Sequence, residues 1–259
     1  MTAAVTELLV ATATLRPVGL DEVMAVAGLQ TRVDRKYLLD PATFASLVDA
    51  IAGDVHVLEI DGRRCFRYES VYFDTPGLAA YRRSAQGRAR SAFKVRTRTY
   101  LESGTCVLEV KCKGGRGETV KERMPYQLDR RATLDPVALR FVDGLVHLDA
   151  GDEHLRPVLA TRYRRSTLVD LDDGARVTCD AGLECTDPDG RVAVMRDAIL
   201  IETKSTGRAT RVDRWLWRHH RRPVSISKFC VGLAALHPEL PANKWNRTLR
   251  HYFDWRRAA

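Results

Sequence analysis

The segment VLEVKCK, residues 107–113, reads as a strand that carries a carboxylate and two ammonium groups on one face. Side chains alternate along a strand, so Glu109, Lys111 and Lys113 share one side while Leu108, Val110 and Cys112 share the other. The segment ILIETKS, residues 199–205, repeats the idea: Glu202 and Lys204 face one way, with Ile199, Ile201 and Thr203 opposite. A third run, FKVRTRTY (93–100), puts Lys94, Arg96 and Arg98 on one face and Phe93, Val95, Thr97 and Thr99 on the other. Strands of this kind form an ordinary half-solvated sheet, or else the wall of a pore lined with charge.

Working outward, the chain reads as strands punctuated by turns. RVDRKYLL (32–39) is followed by CFRYESVYFD (65–74), which ends at the turn signal TPG, and by SAFKVRTRTYL (91–101). TCVLEVKCK (105–113), the glycine turn GGRG and ETVKERMPYQL (118–128) continue the pattern. The second half resumes with VLATRYRRSTLVD, a turn at DDG, ARVTCDAGLECTD, a turn at PDG, and VAVMRDAILIETKS. Helices are expected over 41–51, 134–148, 212–220 and 226–236, with a last one near Trp245. Hairpins with interleaved helices define an α+β fold, and this many strands favours a barrel or a strongly curved antiparallel sheet.

The chain has 259 residues, 45% of them hydrophobic and 29% charged, which suits a folded soluble protein of one large domain or two small ones. No apolar run approaches the roughly 20 residues that span a bilayer, and Glu7 interrupts an N-terminal stretch that lacks a basic leader. The six cysteines show no C-x-x-C and sit mostly in apolar runs, so they read as small buried hydrophobes in a reducing, cytoplasmic compartment. The net charge of +9 points to an anionic partner. From Arg82 through Arg98 seven basic residues occur with no acidic one, and Arg88 and Arg90 are among them. The segments 156–165 and 214–223 repeat the bias.

Familiar catalytic motifs are absent. GGRG lacks the spacing and following helix of a phosphate loop, no G-x-S-x-G occurs, and His56, His219 and His220 read as solvated or packed. Each charged strand taken singly is an ordinary half-solvated strand. Together they say more, because RVDRKYLL aligns Arg32, Asp34 and Lys36, ATRYRRS aligns Arg162 and Arg164, and RVTCD aligns Arg176 and Asp180. Such faces converging in a barrel would repel themselves unless a polyanion lay between them. Lysine and arginine heads cradle a run of phosphates, and a few carboxylates hold a hard divalent metal that bridges phosphate oxygens.

The order of these motifs resembles the triphosphate tunnel metalloenzymes (CYTH-like), and within them the polyphosphate polymerase, or VTC (vacuolar transporter chaperone), domain. The matching pieces are RVDRKYLL, YFDTPG with the basic run after it, KVRTRTY, LEVKCK with VKERMPY, RPVLATRYRR, RVTCD, LIETKS, and SISKFC with its helix. The resemblance implies an antiparallel β-barrel tunnel of about eight strands wrapped by helices. It implies one domain over 1–259, with a helical lead-in over 1–30, a tunnel core over 32–236 and a helical tail over 237–259. It also implies phosphate contacts at Lys36, Arg96, Arg98, Lys111, Arg162, Arg176 and Lys228, with Lys94, Lys113 and Lys204 beside them, and a metal at Glu202 that Glu109 either shares or replaces with a lysine pairing.

Two departures bear on the chemistry. Ser225 stands where the membrane-associated eukaryotic enzymes carry a further lysine, and RVDRK (32–36) stands where the hydrolysing branch has Glu-x-Glu-x-Lys. Hydrolysis needs a positioned base for water, whereas chain extension uses an oxyanion that is already nucleophilic. The expectation is therefore a Mn²⁺- or Mg²⁺-dependent enzyme transferring the γ-phosphoryl of ATP to polyphosphate. Lys36, Arg96, Arg98 and Lys111 would clamp the transferring phosphates, and Arg162, Arg176 and Lys228 would hold the acceptor or product chain. The alternatives are a triphosphatase of the same fold and a non-catalytic binder of polyphosphate or nucleic acid. A membrane protein receiving the product is a further candidate partner, and no stable nucleic-acid partner is expected.

Overall fold

The computed structural model describes residues 1–26, 33–87, 91–113, 119–146, 148 and 154–256. Arg32, Arg88, Arg90 and the GGRG turn lie outside them. The chain is α+β, with antiparallel strands predominating and eight α-helices among the described residues. It divides into two compact units, each drawing on three stretches of chain.

The first unit comprises Met1–Arg67, Tyr163–Leu183 and Met195–Ser225. Its strands are β1 (Arg16–Val18), β2 (Val33–Leu39), β3 (His56–Leu58), β11 (Ile199–Ser205) and parts of β8 (Arg156–Asp170) and β9 (Ala175–Thr186). They are ordered β1-β3-β8-β9-β11-β2. The β2–β11, β11–β9 and β3–β8 pairings are antiparallel, and β1–β3 is parallel. One face of β2, β9 and β11 offers Tyr37, Leu39, Val177, Cys179, Ala181, Ile199 and Ile201 to a core shared with three helices. These are α1 (Ala3–Ala13), α3 (Pro41–Ile51) and α6 (Arg211–Arg218). Each starts at a side-chain cap. Thr2 accepts from Val5, Asp40 accepts from Thr43 at 2.8 Å ahead of Pro41, and Thr210 forms a reciprocal capping box with Asp213. The short α2 (Leu20–Val26) puts Asp21 and Glu22 in its first turn.

The second unit comprises Tyr68–Arg162, Glu184–Val194 and Ile226–Ala259. Here β4 (Phe66–Asp74), β5 (Lys94–Tyr100), β6 (Thr105–Lys113) and β7 (Thr119–Tyr126) follow β8 in the order β8-β4-β5-β6-β7, and β10 (Val192–Val194) pairs β9. The β4–β5, β5–β6, β6–β7 and β10–β9 pairings are antiparallel. The remaining helices are α4 (Ala79–Ala85), α5 (Pro136–Asp143), α7 (Lys228–Leu236) and α8 (Asn246–Tyr252). Buried Asp74 closes YFDTPG by accepting from the backbone of Thr75, Ala80 and Tyr81, which starts α4 directly after the turn. The run read as one strand, VAVMRDAILIETKS, is two: Asp197 takes φ +29°, and pairing stops between β10 and β11. The helix expected over 134–148 is shorter, because Asp135 caps it and Gly144 ends it.

Candidate phosphate-binding faces

In the second unit, register decides which charges meet. Lys94 lies opposite Lys111, and Lys111 opposite Lys121, so three ammonium groups stand side by side across β5, β6 and β7. In the next row Tyr72, Arg96, Glu109 and Arg123 stand in line, and beyond it Arg98 lies between Ser70 and Val107. Lys113 belongs to the same face and donates to Thr119 at 3.0 Å. The opposite face carries Val95, Leu108 and Val110, all fully buried.

Glu109 is the carboxylate that organises this face, and its side chain is 3% exposed. Arg96 reaches it at 2.7 Å, Lys121 at 2.6 Å and Arg98 at 3.6 Å. Burial alone would raise its pKa, but the charges of Arg96 and Lys121 prevail and hold it below the usual carboxylate range. Of its two expected roles, the contacts are those of a structural pairing. Arg96 also donates to the Tyr72 hydroxyl at 2.9 Å, so its guanidinium is fixed in plane before any ligand arrives. Tyr72 stacks on Phe229 at 5.2 Å, which brings the first turn of α7, and with it half-buried Lys228, beside the arginine row.

Arg162 does not join these residues. It donates to Glu69 at 2.7 Å, and Glu69, opposite Thr99, lies on the reverse face of β4 from Tyr72. Phase is the reason. The doublet Arg164–Arg165 leaves the inward set on β8 ambiguous from sequence, and the buried set is Thr161, Tyr163 and Arg165. In the first unit Arg165 holds Asp180 through two hydrogen bonds of 2.6 and 2.8 Å. Two groups on the second unit's face, Lys121 and Arg123, were also missed. Alternation in VKERMPY places both there, opposite Val120, Glu122 and Met124.

The first unit presents its own charged face. Lys36 lies opposite Glu202, and Glu202 opposite Thr178; Asp34 lies opposite Lys204, and Lys204 opposite Arg176. Glu202 sits 3.7 Å from the Lys36 ammonium and 3.5 Å from that of Lys204. Burial pushes Lys204 down to about 8; Glu202 opposes the shift, while Arg165 and Arg176 add to it.

Among the described residues no group of three or more His, Cys, Asp or Glu side chains comes together to hold a metal ion. Of the two carboxylates expected to bind a metal, Glu202 is the more accessible, its side chain 17% exposed with two ammonium groups beside it. Glu109 is enclosed by three cations.

The fold of this chain is similar to that of a solved protein from Hippeastrum. The Hippeastrum protein HpAC1, named as a candidate adenylyl cyclase and described by a dominant triphosphatase activity, aligns with a TM-score of 0.50 at 16% identity. The alignment covers 78% of this chain and 95% of that one. A Bacillus halodurans protein named as a candidate adenylate cyclase aligns with a TM-score of 0.47 at 12% identity, over 76% of this chain and 96% of its own. No curated protein matches by sequence. The profile of the VTC domain matches residues 31–237, and the chain belongs to the VTC domain family.

Proposed function

We propose that this protein is a polyphosphate polymerase, transferring the γ-phosphoryl group of ATP to the end of a polyphosphate chain. The observation that carries the reading is the row Lys94–Lys111–Lys121 beside Arg96, Arg98 and Arg123, with Glu109 the one carboxylate that β5, β6 and β7 bring to that face among the described residues. Like charges directly opposite one another destabilise a sheet, and a run of phosphates relieves the repulsion. Glu109 is held ionised and enclosed by cations, so it is a poor base for activating water. The attacking group is then the terminal phosphate oxygen of the chain. It forms a new P–O bond to the γ-phosphorus as the bond to ADP breaks. Arg96 and Arg98 neutralise charge on the transferring group, and Lys228 binds toward the acceptor chain. The first unit's own face would bind phosphates through Lys36 and Arg176, and a divalent cation, Mn²⁺ or Mg²⁺, held by Glu202 would neutralise phosphate charge there.

The second reading is a triphosphatase. The activity named for the Hippeastrum protein supports it, as does the presence of Asp34 and Glu202 on one face of the first unit. Incubation with ATP and Mn²⁺, with products separated by length on a gel, tests the two. Polymer with ADP supports synthesis, and orthophosphate alone supports hydrolysis. Among the described residues no helix is long and apolar enough to cross a membrane. The six free cysteines support placing the enzyme in the cytoplasm.

A further inference from the structure

The charged face of the second unit changes character along its strands. Register sets successive rows on it, two residues or about 7 Å apart along each strand. Lys94, Lys111 and Lys121 make one row, and Tyr72, Arg96, Glu109 and Arg123 make the next. Then Arg98 lies between Ser70 and Val107, with Pro125 opposite Val107. Beyond it Tyr68 lies opposite Tyr100, and Tyr100 opposite Thr105. Cationic side chains thus give way to an aromatic end within one face of one sheet. Tyr68 and Tyr100 are half-buried, with ring centroids 5.1 Å apart in an edge-to-face arrangement. The Arg98 guanidinium lies over the Tyr68 ring at 5.9 Å, which joins the aromatic row to the arginines. Two buried polar atoms belong to that junction. Among the described residues neither the Ser70 hydroxyl nor the Arg98 Nε has a hydrogen-bond partner, although Arg98 Nη2 reaches Glu109 at 3.6 Å. Buried polar groups are normally paired, so an unpaired donor across from an unpaired hydroxyl marks a place for a ligand oxygen.

We propose that Tyr68 and Tyr100 form a nucleoside subsite, which takes the base of a nucleoside triphosphate while its phosphates run past Arg98 and Arg96 toward Lys94, Lys111 and Lys121. The proposal rests on the phosphate reading of this face and adds which end of it the nucleoside occupies. An inorganic phosphate chain has no flat apolar part to lay on the tyrosines. A nucleotide has both parts: its phosphates take the guanidinium and ammonium groups, and its base stacks on aromatic rings. Every base has such a face, so the subsite selects for a nucleoside rather than for one base.

Calorimetric titration of the full chain with ATP and with inorganic tripolyphosphate tests the subsite, because the two probes share the phosphates and differ in the nucleoside. In Tyr68→Ala/Tyr100→Ala, ATP affinity should fall about tenfold, the order expected for loss of one stacked base, while tripolyphosphate affinity stays unchanged. Tyr68→Phe/Tyr100→Phe keeps the rings and should restore the ATP affinity. Unchanged ATP affinity in the alanine pair, or an equal loss for both probes, overturns the proposal and leaves the tyrosines as cross-strand packing. A second measurement uses the parent chain. Photolysis with an ATP analogue that carries an azide on the base should label β4 or β5 at Tyr68 or Tyr100, and labelling confined to other strands overturns the proposal as well. Lys111→Ala tests the underlying reading separately. It should weaken both probes, and unchanged tripolyphosphate binding overturns the phosphate reading of the face whatever the tyrosine variants show.

Discussion

Arg96 shows what one residue contributes before any ligand is present. Glu109 and Tyr72 fix its guanidinium, so no reorganisation is needed when charge develops on a transferring phosphoryl group. Arg96→Ala should reduce turnover by about 3 kcal/mol of transition-state stabilisation, on the order of a hundredfold, which steady-state kinetics with ATP would read. A drop smaller than tenfold would place the transferring group elsewhere. Glu202→Gln keeps the side chain's shape and removes its charge; it should leave nucleotide affinity nearly intact and abolish divalent-metal-dependent turnover. An unchanged Mn²⁺ titration in that variant would show that the metal is not held by Glu202. Lys204, with its pKa pushed down to about 8, makes a pH prediction. A bound phosphate favours the ammonium form, so binding takes up a proton, and affinity should fall as pH rises through about 8. The same depression costs stability below about 8, and that cost fades as pH rises toward the ordinary lysine range. Calorimetry with tripolyphosphate between about pH 7 and pH 9 should show the slope in the parent chain and lose it in Lys204→Gln.

Elements decide which of these charges are usable, and here phase outweighs composition. Alternation in KVRTRTY, LEVKCK and LIETKS placed Arg96, Arg98, Glu109, Lys111 and Glu202 on their faces directly, because one side of each strand is apolar and buried. In RYRRS the polar residues occupy consecutive positions, so the sequence pointed to Arg162, whereas the buried set contains Arg165. The contribution of β7 went unread for a different reason. Glu122 interrupts the apolar side of VKERMPY and hides its period, so Lys121 and Arg123 emerge only with the register to β6. The backing of α7 was also illegible. A Cβ on Gly232 would approach Cys185 Sγ to 2.8 Å and Leu159 Cδ2 to 2.9 Å, so the helix lies as close to β8 and β9 as a glycine permits. Gly232→Ala should destabilise the protein by about 1–3 kcal/mol, seen as an earlier denaturant midpoint with an unchanged slope. A neutral result would show that the helix moves freely off those strands.

For the molecule as a whole, the net charge of +9 announced an anionic partner without naming it, and it supports binder, hydrolase and polymerase alike. Membership of the VTC domain family agrees with the phosphate chemistry proposed for the charged faces. Under the proposed function, the question is whether water or a phosphate oxygen accepts the γ-phosphoryl group. Lysines in adjacent rows favour a bound chain as acceptor, since several cations hold its end in place while the carboxylate of that face is enclosed. The most direct measurement follows the label from γ-³²P-ATP in the presence of Mn²⁺. The label should enter acid-precipitable phosphate polymer from the earliest time points, with an equal amount of ADP released and little labelled orthophosphate. Label recovered only as orthophosphate, with no polymer at any time, would contradict the account.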